Sequence, residues 1–134
     1  MRPSLLSLPL ILVSSIASAA GGIDVRRAPD NVVYGTCVPS LVVENTSGET
    51  VDYLQVDLVV ALADGQERTV ELQSAYREGV LYPIAPGAKG VLKQHLDTSR
   101  SLGVACDQVK ARKVGRIICE SSNKACASPV SVQP

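Results

Sequence analysis

Four cysteines, one histidine and a few carboxylates are the side chains whose type and spacing could carry chemistry here. Cys37, Cys106, Cys119 and Cys126 could serve as zinc ligands, as a catalytic thiol or as two disulfides. Zinc is disfavoured, because no C-x2-C pair occurs and the gap from Cys37 to Cys106 is long. A thiol nucleophile needs an unpaired cysteine beside a base, and two disulfides leave none. His95 is the single imidazole, and strand alternation puts it on an outward face beside Lys93 with no nucleophile placed against it. It reads as a solvated residue. Asp52 and Asp57 fall on opposite faces of one strand and so do not form an acid/base pair. Gly87 and Gly90 flank a β-turn and do not open a helix, so no phosphate-binding loop is present. The sequence therefore points to no catalytic residue, no metal and no cofactor, and the protein is expected not to be an enzyme.

Composition narrows the remaining classes. The chain has 134 residues, enough for one domain, and its 46% hydrophobic share is too high for a disordered segment. Its 13 basic and 13 acidic groups cancel, which removes the basic footprint of a nucleic-acid binder. Residues 1–19 combine Arg2, an apolar run over 5–16 and the small residues Ala17-Ser18-Ala19. That order predicts a secretory signal peptide cut after Ala19 or Ala20. Pro9, Ser14 and Ser15 interrupt the run, and it is shorter than the roughly 20 residues that span a bilayer, so no stable span is expected after cleavage. All four cysteines lie beyond the cut, in an oxidising compartment where pairing is the default.

The elements that would position these groups are written in period two. Residues 51–62 place Leu54, Val56, Leu58, Val60 and Leu62 on one face, as a half-buried strand requires. Ala63-Asp64-Gly65-Gln66 then turns the chain back through 67–73, with Val70 and Leu72 facing inward. A short run at 38–44 closes on Asn45-Thr46-Ser47-Gly48, which is both a turn cluster and a glycosylation sequon. Pro86-Gly87 precedes a strand over 91–96, and residues 104–120 form one or two further strands. With no amphipathic helical window, this predicts an all-β chain: an antiparallel immunoglobulin- or fibronectin-III-like sandwich of about seven strands over residues 34–126. Residues 20–33 read as a loose leader and 127–134 as a C-terminal tail. With no Phe or Trp the core must be aliphatic, so disulfides would supply a sizeable part of the stability.

If residues 104–119 were one unbroken strand, Cys106 and Cys119 would lie roughly 40 Å apart at about 3.3 Å per residue. They would also face opposite sides. This favours Cys37–Cys106 across the sandwich and Cys119–Cys126 as a local clamp. A hairpin at Arg112-Lys113 would instead permit Cys106–Cys119. On a continuous strand Lys110, Arg112 and Arg116 would share the outer face, a candidate interaction surface for an anionic partner or lipid surface. The same stripe could protect an edge strand from unwanted pairing. The edge itself offers a route to a homodimer by strand pairing.

The order Val42-Val43-Glu44-Asn45-Thr46-Ser47-Gly48, Leu54-Gln55-Val56-Asp57-Leu58, Ala63-Asp64-Gly65 and Pro86-Gly87 resembles small extracytoplasmic immunoglobulin-like or fibronectin-III-like bacterial domains. With the signal peptide and the late cysteines, it resembles the interleukin receptor mimic protein A type. That resemblance spans about residues 37–126 and implies a secreted, fibronectin-III-like, non-enzymatic module that binds host or envelope proteins. The expectation is an exported module, periplasmic or secreted, acting by protein–protein binding. The second reading is an accessory or structural subunit of an envelope or secretion apparatus. A small periplasmic enzyme or inhibitor is the third, disfavoured by the single histidine and the missing free thiol.

Overall fold

The computed structural model describes residues 21–74, 76–77, 80–94 and 102–134. The expected signal peptide, His95, Leu96 and the 97–101 part of the polar loop lie outside the described residues.

The described chain is almost wholly β. Its strands are β1 Ile23–Arg27, β2 Asn31–Val33, β3 Thr36–Val38, β4 Ser40–Asn45, β5 Tyr53–Leu62, β6 Glu67–Ser74, β7 Tyr76–Arg77, β8 Val80–Leu81, β9 Lys89–Gln94, β10 Val109–Ser121, β11 Lys124–Ala125 and β12 Val130–Gln133. A single turn of 3-10 helix, Cys106–Gln108, precedes β10. Eight strands form one sheet in the order β11-β10-β5-β6-β9-β4-β1-β12, while β2–β3 and β7–β8 are separate small hairpins.

The all-β expectation holds, but the large sheet is continuous and curls into a half-barrel. The join lies between β6 and β9, where Leu72, Gln73 and Ser74 pair with Gln94, Lys93 and Leu92. Because these two strands are hydrogen-bonded, the halves expected to face each other as separate sheets are linked through that corner. Their inward side chains meet in one aliphatic core, which includes Leu54, Val56, Leu58 and Val60 from β5, Ile23 and Val25 from β1, and Leu41, Val43 and Leu92. The alternation read over 51–62 is thus the core face of the central strand.

Two boundaries differ from the sequence expectation. The stretch read as a loose leader contains β1, which buries Ile23 and Val25 between β4 and β12. Two apolar positions separated by Asp24 are too short a pattern to stand out from a polar segment. The tail contains β12, paired in parallel with β1. Glu49 holds the tail in place by accepting the backbone N–H groups of Ser128 at 2.9 Å and Ala127 at 3.3 Å. Residues 109–121 form one strand and not a hairpin at Arg112-Lys113.

Asn45 resolves the double reading of Asn45-Thr46-Ser47 in favour of the turn. Its side chain is completely buried, and its Nδ2 donates to the carbonyls of Glu49 at 2.8 Å and Ile84 at 2.9 Å. Its Oδ1 accepts from the Ser47 backbone N–H and hydroxyl. A fully engaged amide has no free nitrogen to offer for glycosylation in the folded domain.

Candidate functional site

Both disulfides form in the pairing favoured by strand parity, Cys37–Cys106 and Cys119–Cys126. Cys119–Cys126 ties the β10–β11 turn, and Cys126 N–H also donates to the Cys119 carbonyl at 3.0 Å. Cys37–Cys106 links β3 to the 3-10 helix, supported by a bond from Cys37 N–H to the Val104 carbonyl at 2.7 Å. It therefore anchors the β2–β3 hairpin to the body of the domain.

The candidate basic stripe is split by two irregularities in β10. The pairing with β5 shifts between Val109 and Ala111 and again between Val114 and Ile117. Each extra residue reverses the parity that a regular strand would keep. Arg112 is consequently opposite Val60, a core-facing residue, and turns inward with its side chain only 5% exposed. Arg112 therefore does not share the outer face expected for it with Lys110 and Arg116. Lys110 stays exposed and donates from Nζ to the Asp107 carbonyl at 3.0 Å. Arg116 lies on the outer face, 3.4 Å from Asp57. The structure therefore does not bring Lys110, Arg112 and Arg116 together.

Arg112 instead closes the base of the β2–β3 hairpin. Its Nη2 donates to Asp30 Oδ2 at 2.6 Å, and Arg27 Nη2 reaches the same oxygen at 3.1 Å. Burial alone would raise the Asp30 carboxyl. The hydrogen bond and charge of Arg112, with those of Arg27, outweigh that and hold it below the ordinary aspartate value. The Asp30 carboxylate also lies within 4.8 Å of the Cys37 and Cys106 sulfurs. Those sulfurs are bonded to each other, so they present no thiolate to a cation, and two guanidinium groups already face the carboxylate.

Above this base the hairpin carries an apolar tip. Val32 is 66% exposed, Val33 38%, and Tyr34 is fully exposed. Tyr34 and Gly35 form the two-residue turn, with φ of 50° and 73°. Positive φ at both positions gives the tight hairpin turn whose twist matches its strands, a place that favours Asn-Gly. Glycine fits at no steric cost, whereas tyrosine in the left-handed region is disfavoured by about 1 kcal/mol. An exposed aromatic ring on a strained backbone, held from below by a disulfide and an ion pair, is preorganised for contact. Val32 and Val33 fall within the stretch 20–33 whose polar pattern presents a leader, and Tyr34 is the first residue of the expected sandwich, where no element is expected before Val38. The detectable signal was Val32-Val33 followed by Tyr34-Gly35 and Thr36-Cys37-Val38, two β-prone runs around a glycine-containing pair.

The fold and this site together define a disulfide-braced, all-β domain with a projecting apolar hairpin. No protein-family model matches the sequence, and no curated protein matches it. Among solved structures, that of IrmA from Escherichia coli is similar, with a TM-score of 0.55 over 84% of this chain and 92% of that chain. The two share 15% of their residues, so the likeness establishes a common fold. Among the described residues no helix is long and apolar enough to cross a membrane.

Proposed function

We propose that the chain is an exported, non-enzymatic binding module that engages a protein partner through the tip of the β2–β3 hairpin. The observation that carries this reading is Tyr34, fully exposed on a left-handed residue above a cross-linked base. Tyrosine gives a large contact area at low entropic cost and is enriched at protein-binding hot spots. Two disulfides suit an oxidising compartment, in keeping with the signal-peptide pattern of residues 1–19. The half-barrel is read as a variant of the fibronectin-III-like architecture, and host or envelope proteins are the partner class. The test compares what the purified exported protein and its Tyr34→Asn/Val32→Ser variant retain from envelope and host-surface extracts. A partner held by the parent and by Lys124→Ala, a change at an exposed position of β11, but lost by the tip variant, supports the reading. Identical retention by all three overturns it.

A further inference from the structure

Strand β10 is the longest among the described residues yet is fully flanked on one side only. β5 pairs with it from Val109 to Glu120, whereas β11 on the other side pairs only with Glu120 and Ser121. Among the described residues no strand lies against the outer edge of residues 110–118. The half-barrel is also incompletely closed there. Ile117 stands opposite the buried Val56 and so belongs to the inner row, yet it is 38% exposed. Val109 and Val114, in the same row, are only partly buried.

The outer row of this edge is cationic. Lys113 and Arg116 are largely exposed, each facing one carboxylate, Glu67 at 3.6 Å and Asp57 at 3.4 Å. Lys110 is exposed as well, and Asp107 and Glu120 lie at the two ends of this stretch. Lysines on an edge oppose pairing with a second copy, because like charges would be brought side by side. The same charges would attract an acidic strand.

We propose that the outer edge of β10 accepts an extended segment of a partner protein in which apolar and acidic residues alternate. Backbone groups of the added strand would pair with residues 110–118. Its apolar side chains would cover Val114 and Ile117 on the inside, and its carboxylates would meet Lys113 and Arg116 on the outside. This surface is separate from the Tyr34 tip, and the proposal stands or falls independently of it.

The probe is a labelled peptide of about ten residues alternating valine and glutamate, the length of a typical strand or slightly more. Saturable binding is expected, with amide shift changes concentrated on β10. Raising ionic strength from about 0.05 to about 0.3 M should weaken it about tenfold. A valine–lysine peptide of equal length should bind the parent about tenfold more weakly than the glutamate peptide, and Lys113→Glu/Arg116→Glu should reverse that preference. Tyr34→Asn should leave peptide binding unchanged. Equal binding of both peptides, shift changes away from β10, or sedimentation showing a dimer that Lys113→Glu/Arg116→Glu disrupts would overturn the proposal.

Discussion

Arg112 and Asp30 are 82 positions apart in sequence, and the 2.6 Å bond between them fixes the base of the β2–β3 hairpin to strand β10. The pair is largely desolvated, at 5% and 14% side-chain exposure. Its second oxygen and nitrogen, Asp30 Oδ1 and Arg112 Nη1, are buried with no hydrogen-bond partner among the described residues. Removing one member would leave the other as an uncompensated charge in a low-dielectric site.

Asp30→Ala should therefore destabilise the domain by about 3 kcal/mol in urea unfolding. Replacing both members, Asp30→Leu with Arg112→Leu, should cost less than the single change. The pH dependence follows from the depressed Asp30 carboxyl. Its contribution is complete above the ordinary value of 3.8 and is lost as pH falls through the lower folded-state value. Between pH 4 and pH 2 the parent should lose more stability than Asp30→Ala does.

The two disulfides should differ in worth because they close very different loops. Cys37–Cys106 spans 69 positions and Cys119–Cys126 spans 7. Chain-entropy reasoning gives about 4 kcal/mol for the first and about 2.5 kcal/mol for the second. Paired Cys→Ser substitutions, compared by chemical unfolding under oxidising conditions, should reproduce that order.

Tyr34→Asn should make the free protein more stable, by about 1 kcal/mol, since asparagine tolerates the left-handed backbone and the exposed ring has no packing to lose. For a domain of this size the melting temperature should rise by about 4 °C. A fall in melting temperature would show that the ring packs against the domain.

Asn45→Ala should cost about 2 kcal/mol or more in thermal or urea unfolding. It removes both donors to the Glu49 and Ile84 carbonyls and the acceptor for Ser47, all inside the domain. A change below about 0.5 kcal/mol would mean that water replaces the amide at this turn.

The parts of this molecule legible in sequence are those with a local cause. The alternation of Leu54, Val56, Leu58, Val60 and Leu62 marks the central strand because burial on one face imposes period two. Gly65 and Gly87 mark turns because both take positive φ, at 85° and 80°. What was hidden depends on partners distant in sequence. The inward turn of Arg112 follows from bulges that appear only once β10 is laid against β5. β1 is a strand because β4 and β12 flank it, and its own five residues carry little pattern. The joining of β6 to β9 into one curled sheet is likewise a property of packing that no local residue announces.

The most direct test of the binding account replaces Tyr34 with a photo-crosslinking amino acid in the exported protein and irradiates intact cells. A second variant carries the same group in place of Asn123, in the exposed turn beyond the far end of β10. The account predicts a discrete protein adduct from position 34, lost when Val32→Ser is added, and none of the same mass from position 123. The same adducts from both positions, or none from position 34 in producing cells or in contact with host cells, would contradict it.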